Sequence, residues 1–473
     1  MNALLITLWE KVRNSYWFVP TLMVLGSIGL SFLTTTIDNE IGSDWMEDIS
    51  WLHANKPAGA RAVLSTVAGS MITVAGVTFS MTILSISHTT SQIGPRLLNN
   101  FMGDKANQFT LGVFISTFIY CLMVLRTVRN AESPPPSGAD VANLVDAFVP
   151  HIALIVGVLM AIASVGVLIF FVHHVPETIH VSNIIAGVGR GLNQRIENQF
   201  PARVGEPNEV KSNRSAKAEL SDSFYDSAAK VLSTKVGYLE FIDGDALLQL
   251  ASKHDLVVQV LPRSGDFVTD GTVLLVASPS DHVDESVQKD LASMFICGTQ
   301  RTTTQDLRFQ VNQLVEVAMR ALSPGVNDPF TAISCMDWLQ ATLENLASRE
   351  LPDAHRYDDN QELRLVVEPV TFESFASLVF DQLRPYVAAD RNASLKMMEM
   401  LGSLALNVSS ARDRRLLVRH ACALRRQCRR SMTDTRTLNA IASRYRDVLL
   451  LMSDASTREK AGATGQWIGI ATA

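Results

Sequence analysis

The stretch AVLSTVAGSMITVAGVTFSMTILSIS, residues 62–87, contains no charged side chain. A helix that crosses a bilayer needs roughly 20 such residues, and elements of water-soluble domains rarely sustain so long an apolar run. Nine of the 26 residues are nevertheless Ser or Thr. Since Leu, Ile and Phe would suit lipid better, the stretch predicts a membrane helix that lipid does not surround on every side.

The small residues of this stretch recur mostly at intervals of three or four, which places them along one side of a helix. This small-residue stripe consists of Thr66, Gly69, Thr73, Gly76, Ser80 and Ser87. Small side chains at this spacing let helix backbones approach closely, and each hydroxyl can bond the carbonyl four residues earlier. The stripe therefore predicts either tight packing against another helix or, in a symmetric oligomer, a face toward a central axis.

Three further stretches, residues 17–37, 109–125 and 149–172, contain no Lys, Arg, Asp or Glu. The first is too long for the apolar region of a signal peptide and lacks a small-x-small cleavage site. Four transmembrane helices are therefore predicted, at about residues 17–37, 62–87, 107–126 and 149–173. An amphipathic helix follows the fourth span, and the predicted membrane domain comprises residues 1–200.

The positions of Lys and Arg near the span ends predict the orientation, because cytoplasmic loops carry an excess of both. With both termini inside, the inner flanks hold six such residues and the outer loops hold four. The five cysteines form no disulfide framework, which suits a reducing compartment. We therefore expect both termini to be cytoplasmic.

The rest of the chain predicts a soluble α+β domain that is mostly helical. Residues 201–230 form a predicted linker, because FPARVGEPNEVKSNRS breaks the apolar pattern. Residues 231–282 alternate strand-like and helix-like runs, which indicates a small α/β unit. Residues 283–455 have a helical pattern apart from one candidate strand, ELRLVVEP at 362–369, and residues 456–473 are predicted to be a loose tail.

The string QLVEVAMRALSPGVNDPFTAISCMDWL, residues 313–339, predicts two helices joined at SPG. Asn327 or Asp328 would cap the second helix, and Pro329 suits its first turn. A rigid helix–turn–helix corner explains most of these residues. The alternative is that Asn327 and Asp328 form a small polar site for an ion, a partner or a neighbouring subunit.

This string resembles part of a known family, as do TSQIGPRLLNNF (90–101), GDFV (265–268) and RTTTQD (301–306). The family is domain of unknown function 2254, a group of predicted bacterial membrane proteins. The resemblance implies a multi-pass protein of the bacterial inner (plasma) membrane with a large soluble C-terminal part, and it implies no reaction or ligand. The motif residues that we single out are Gln92, Pro95, Arg96, Arg301, Asp306, Asn327 and Asp328.

Motifs of known enzymes are absent from the sequence, including G-x-S-x-G, Walker A and H-E-x-x-H. His173, His174 and His180 lie near Glu177, but Pro176 interrupts their spacing as metal ligands. We therefore expect no enzymatic activity, no cofactor and no metal site.

The segment ARDRRLLVRHACALRRQCRR, residues 411–430, contains eight arginines. Its helical periodicity predicts a basic face opposite an apolar one. The basic face consists of Arg412, Arg415, Arg419, Arg426 and Arg430. It predicts either the solvated side of a bundle helix or a contact with anionic lipid headgroups or another subunit. Nucleic acid is not an expected partner, because no aromatic residues interleave and the chain carries a net charge of −6.

Two function classes follow from these patterns. The first is an oligomeric ion channel or channel-like pore, lined by the second span and built from several copies of the chain in the lipid bilayer. The second is a non-transport membrane sensor or scaffold whose cytosolic domain docks partners. The spans contain no central charged residue of the kind that coupled transporters use, so a pore would be passive.

Overall fold

The computed structural model describes residues 15–41, 56–94, 104–130, 148–200 and 222–468. The chain forms two compact units, of which the first ends at Asn183 and the second begins at Ile184. Each unit has its own buried apolar clusters.

The first unit contains four helices that are long and apolar enough to cross a membrane. They are α1 (Phe18–Ile41), α2 (Pro57–Ile93), α3 (Lys105–Leu125) and α4 (His151–Ile179). The prediction of four apolar helices is thereby confirmed. Helix α2 extends beyond its predicted span at both ends, and its 37 residues cover about 55 Å.

Helix α3 is the centre of the first unit and packs against α1, α2 and α4. Its side chains Phe114, Tyr120 and Val124 are fully buried. Gly112 permits the close approach of α1, because a Cβ atom there would overlap the sulfur of Met23. The hydroxyls of Thr117 and Ser164 lie 3.2 Å apart and join α3 to α4.

A buried carboxylate joins α1 to α4 at one end of the unit. Asp38 accepts hydrogen bonds from the backbone N–H groups of Ile152 and Ala153, at 2.8 and 2.9 Å. These N–H groups open α4 and have no partner within that helix. The Tyr120 hydroxyl donates to the Ala153 carbonyl at 3.0 Å and lies 2.9 Å from the Thr34 hydroxyl. Polar contacts therefore fix the register of α1, α3 and α4.

Helix α5 (Val181–Gln199) corrects the predicted boundary of the membrane domain at residue 200. From Ile184 onward this helix belongs to the second unit. Its apolar side is buried there, and Gly189 lies so close to the Trp338 indole that a Cβ atom would overlap the ring. The apolar periodicity that indicated an amphipathic helix therefore marks a face that packs against protein.

The second unit contains two β-sheets with three short helices around them. The strands are β1 (Ala229–Leu232), β2 (Gly237–Ile242), β3 (Val257–Val260), β4 (Phe267–Val268), β5 (Val273–Ser278), β6 (Phe295–Gly298), β7 (His355–Tyr357) and β8 (Leu363–Val366). The helices are α6 (Asp222–Asp226), α7 (Gly244–Lys253) and α8 (Glu285–Ser293). One sheet has the order β1-β5-β3-β8-β7 and the other the order β4-β2-β6.

These sheets differ from the predicted division into residues 231–282 and 283–455. Strands β6 and β7 come from stretches predicted to be helical or left without a strand, whereas β8 confirms the candidate strand at 362–369. Strand β8 pairs in parallel with β3, so it belongs to a sheet that crosses the predicted boundary at residue 282. The predicted linker 201–230 also ends too late, because α6 and the start of β1 occupy its last residues. Residues 201–221 of that linker lie outside the described residues.

The remaining helices form a bundle. They are α9 (Leu307–Ala321), α10 (Pro329–Ala347), α11 (Phe372–Val387), α12 (Arg391–Asn407), α13 (Ala411–Ser431), α14 (Thr435–Ser453) and α15 (Ala455–Thr464). An aspartate, serine or threonine side chain caps the N-terminus of each one. The prediction of a loose tail at residues 456–473 is wrong for the part that the structure describes, because α15 packs against the bundle and the Trp467 ring is buried against Gly402. Residues 469–473 of that tail lie outside the described residues.

Candidate functional site

The small-residue stripe lies on the side of α2 that faces away from the other described helices of its unit. All six of its residues are exposed, whereas Leu64, Ala68 and Ala75 on the opposite side are buried. Gly69 and Gly76 have open space where a Cβ atom would lie. Among the described helices of the first unit, therefore, none packs against the stripe, and the close partner that its spacing predicts lies outside this set of helices.

The threonine hydroxyls of the stripe bond to their own helix. Thr66 donates to the Ala62 carbonyl at 2.7 Å, and Thr73 donates to the Gly69 carbonyl at 2.8 Å. Such bonds reduce the cost of placing a hydroxyl away from water. Thr73, Gly76 and Ser80 also line a shallow groove on this face.

The predicted inner-loop residues give less information. Gln92 belongs to the last turn of α2. Pro95 and Arg96 lie outside the described residues.

The RTTTQD string forms an ion pair at the start of α9. The Nε and Nη2 atoms of Arg301 donate to one carboxylate oxygen of Asp306, at 2.9 and 2.5 Å. The other oxygen accepts the Phe309 N–H at 3.0 Å, so Asp306 also caps α9. Burial raises the pKa of Asp306 above its usual value, and the hydrogen bonds from Arg301 oppose that rise.

The GDFV string meets this ion pair. Gly265 has a φ angle of 91°, and a Cβ atom there would overlap both the Asp306 carboxylate and the Arg301 guanidinium. The Gly265 N–H donates to the Leu239 carbonyl at 2.8 Å, which anchors the turn to β2. Two strings that carried the family resemblance are therefore parts of one structural site.

Two adjoining cavities open beside this turn. The first has a volume of about 250 Å³, and its lining includes Arg263, Arg301, Arg308 and Asn312. The second has a volume of about 310 Å³ and a largely apolar lining that includes Ile242, Val260, Leu307, Val367 and Phe375. Arg263, Ser264 and Arg308 line both cavities. We call the two together the arginine cavity.

Sequence reasoning missed Arg263 and Arg308. Arg263 lies two residues before GDFV, and Arg308 lies two residues after RTTTQD. The signal that could have found them is this adjacency of an arginine to both strings. Burial lowers the pKa of Arg263, and the nearby positive charge of Arg308 lowers it further. Arg263 pairs with Glu368 at the cavity wall.

The α9–α10 corner lies at the other end of α9, about 22 Å from Asp306 along that 15-residue helix. The predicted motif residues thus form two separate places. Asp328 caps α10 by accepting the Thr331 N–H at 3.1 Å, and this contact lowers the pKa of Asp328. The cap residue is therefore Asp328 and not Asn327, whose backbone adopts a φ angle of 51°. Next to them, the side chains of Val326 and Phe330 are exposed.

Comparison with known proteins decides the family. The model of the family "Predicted membrane protein (DUF2254)" matches residues 13–403. The chain belongs to the DUF2254 family. It is 29% identical over 420 residues to "Uncharacterized protein Rv1290c" of Mycobacterium tuberculosis and to "Uncharacterized protein Mb1321c" of Mycobacterium bovis. The aligned region covers 88% of this chain and 76% of each relative. No solved structure shows a significant match.

The DUF2254 match includes α1 to α4, the arginine cavity and the α9–α10 corner, but it ends before α13. On α13 the five arginines of the predicted basic face are exposed, and Leu417, Ala421 and Leu424 are buried. Arg412 and Arg419 donate to the Glu373 carboxylate at 2.8 and 3.0 Å, which lowers the pKa of Glu373. Two arginines of the basic face thus have an acidic partner within the chain.

Proposed function

We propose that α1 to α4 cross the inner membrane of a bacterium, with both chain termini in the cytoplasm. The outward faces of α1 and α4 support this proposal, because they expose many large apolar side chains. Among these are Leu22, Leu25, Phe32, Leu159, Ile162, Ile169 and Val172. Exposed apolar surface of this extent is rare in water-soluble proteins, and lipid would cover it.

Reporter fusions after residues 50, 100, 137 and 205 test the arrangement. We expect the reporters to lie outside, inside, outside and inside, respectively. A periplasmic signal from the fusion after residue 205 would overturn the orientation.

The proposed function is an oligomeric, channel-like pore in which the stripes of several copies face a common axis. The observation that carries it is the stripe itself, in which Thr, Gly and Ser recur at helical spacing along an exposed side of α2. Apolar side chains of α2 that are also exposed, including Ile72, Met81 and Leu84, flank the stripe. The stripe runs from Thr66 to Ser87, about 32 Å along the helix. This length is close to the hydrocarbon thickness of a bilayer, about 30 Å.

The absence of charged residues at the centres of the predicted spans indicates passive conduction. No predicted span carries an acidic or basic residue at its centre. Coupled transporters usually place such residues in the membrane, so a pore of this kind would conduct ions passively.

Ion flux through the purified full-length protein in liposomes tests the proposal. We expect flux above that of protein-free liposomes, at a rate that depends on the protein-to-lipid ratio. Thr73→Cys and Ser80→Cys, each in a Cys121→Ala background, should react with a membrane-impermeant charged thiol reagent. Ile162→Cys in the same background is the matched control, because lipid would cover it on α4. Absence of flux together with unreactive cysteines would contradict the pore.

The second candidate function is a membrane sensor or scaffold without transport. The arginine cavity favours it, because a membrane anchor alone does not need a partly apolar cavity bordered by three arginines. Two results together would favour this function over the pore. One is that a ligand binds to the second unit, and the other is that the protein conducts no ions either with or without that ligand.

A further inference from the structure

We infer that the arginine cavity binds a phosphate group attached to an apolar moiety. This inference concerns the second unit alone and does not depend on the pore. The ligand is a phosphorylated amphiphile, either a membrane lipid with a phosphate headgroup or a soluble alkyl or isoprenoid phosphate.

Arginine and carboxylate side chains lie together at the cavity. Asp306 holds Arg301 in place, and Glu368 pairs with Arg263. Asp266 adds a carboxylate whose oxygen accepts the Arg263 backbone N–H at 2.8 Å. Arg308 makes no hydrogen bond or ion pair with any residue that the structure describes, although its side chain is half-buried. It is the arginine of this cavity without a hydrogen-bonded carboxylate, although its positive charge also acts to lower the pKa of Asp306.

The chemistry of arginine selects the class of ligand. A guanidinium offers five N–H donors in a planar fork, which suits the oxygens of a phosphate. A charged acceptor placed between Arg308 and Arg263 would also relieve the repulsion between them. Asp306 and Glu368 already occupy part of the donor capacity of Arg301 and Arg263, so Arg308 would make the largest new contribution.

The apolar cavity selects the rest of the ligand. Its lining includes Val260, Leu307 and Phe375, and it shares Arg263, Ser264 and Arg308 with the polar cavity. A ligand can therefore place its phosphate on the arginines and its hydrocarbon against these side chains. The two volumes, about 250 and 310 Å³, suit a small ligand or the first part of a longer chain.

Isothermal titration of the full-length protein in detergent tests the inference. The probes are inorganic phosphate, dihexanoyl phosphatidate and dihexanoylglycerol, which has the same acyl chains without the phosphate. We expect dihexanoyl phosphatidate to bind more tightly than inorganic phosphate and dihexanoylglycerol to bind weakly. Arg308→Gln should weaken phosphatidate binding by roughly tenfold to a hundredfold, the range for a lost hydrogen bond to a charged group.

The variant is suitable because Arg308 makes no hydrogen bond or ion pair with a residue that the structure describes, so its removal breaks none of these. Arg436→Gln, at an exposed arginine on α14, is the matched control and should bind like the wild type. Equal binding of phosphatidate by the Arg308→Gln protein and the wild type would overturn the inference. Absence of binding to either phosphate compound would overturn it as well.

A second measurement distinguishes the two sources of the ligand. The melting temperature of the protein is measured in phosphatidylcholine nanodiscs, in nanodiscs that also contain phosphatidate, and in phosphatidylcholine nanodiscs with soluble octyl phosphate. Stabilisation by phosphatidate nanodiscs that Arg308→Gln abolishes identifies a lipid headgroup. If octyl phosphate stabilises the protein but phosphatidate nanodiscs do not, and Arg308→Gln abolishes the effect, the ligand is a soluble phosphate. If neither octyl phosphate nor phosphatidate raises the melting temperature, the inference is contradicted.

Discussion

Gly265 lies directly against Asp306, so that a Cβ atom on the glycine would overlap a carboxylate oxygen of the aspartate. The contact joins the turn after β3 to the first turn of α9. Position 265 needs glycine for two reasons. One is the φ angle of 91°, and the other is the space that Asp306 occupies.

Substitution of Gly265 separates these two reasons when it is compared with Gly271. Both glycines have positive φ angles, of 91° and 80°, but Gly271 has open space where its Cβ atom would lie. Gly271→Ala should therefore lower the free energy of unfolding by about 1 kcal/mol, the cost of a left-handed conformation. Gly265→Ala should cost at least 1 kcal/mol more, because it also displaces the buried Arg301–Asp306 ion pair. Urea unfolding of both variants measures the difference, and equal losses would contradict the close contact.

His420 on α13 predicts a pH dependence of stability. Its imidazole is buried against the Phe380 ring, and its Nδ1 atom lies 3.7 Å from an Asp381 oxygen. Burial holds the pKa of His420 below its usual value, and the positive charges of Arg384 and Arg419 lower it further. The negative charges of Asp381 and Glu373 act in the opposite direction and raise the pKa in part. The His420 imidazole therefore binds a proton less readily in the folded protein than in the unfolded chain.

The sign follows from linkage. Between the lowered folded pKa and the unfolded value of about 6.5, the unfolded state binds more protons, so stability rises with pH. Above about pH 6.5 the imidazole is neutral in both states, so His420 does not lower the free energy of unfolding. As the pH falls below that value, the free energy of unfolding decreases, because the unfolded chain takes up the proton first. His420→Phe should reduce the loss of stability between pH 7.5 and 5.5, as measured by urea unfolding. His282→Gln, at an exposed histidine, should retain the wild-type dependence, and no change in His420→Phe would contradict the assignment.

The α9–α10 corner assigns different roles to Asn327 and Asp328. Asp328→Ala removes the cap of α10 and should lower the free energy of unfolding by about 1 kcal/mol. Asn327→Gly should be nearly neutral, because glycine adopts a φ angle of 51° without strain. Asn327→Val should destabilise by roughly 1–2 kcal/mol, since a β-branched residue does not favour that conformation. Equal effects of Asn327→Gly and Asn327→Val on the unfolding midpoint would show that the backbone angle is not the constraint.

The architecture of the first unit could be predicted because its signal is local. Four charge-free runs indicated four helices, and each is present. The extension of α2 to Ile93 could not be predicted from the same signal, since SHTTSQI is polar yet continues the helix. Strand β7 was missed because its three residues are too few to show alternation, and its place depends on pairing with β8.

The arginine cavity could be predicted only in part. The strings GDFV and RTTTQD drew attention to Gly265, Arg301 and Asp306, but nothing in their spacing indicated that they would touch. Their contact depends on how the turn after β3 packs against the start of α9. Arg263 and Arg308 belong to the same site only because of that packing, which involves positions 45 residues apart in the chain.

Substitution of the stripe glycines tests whether another copy of the chain packs against α2. Gly69→Leu and Gly76→Leu each add four carbon atoms to a face that no described residue covers, so the fold of the single chain should persist. In an oligomer whose α2 helices nearly touch, the same atoms would force the helices apart. Overpacking of this kind typically costs about 1–3 kcal/mol, so association should weaken by roughly fivefold to more than a hundredfold.

The control is Gly166→Leu on α4, which makes the same change at an exposed glycine that also has open space around it. If lipid covers α4, lipid can yield to the new side chain, and the oligomeric state should not change. Mass photometry of the three variants in detergent, with chemical crosslinking in membranes, measures association. Normal assembly of both Gly69→Leu and Gly76→Leu would mean that the stripe faces lipid. That result would contradict both a pore along α2 and a packed seam, by which we mean tight packing of the stripes of two copies without an opening. Loss of assembly in these variants, together with unreactive cysteines at Thr73 and Ser80, would leave the packed seam and exclude the pore.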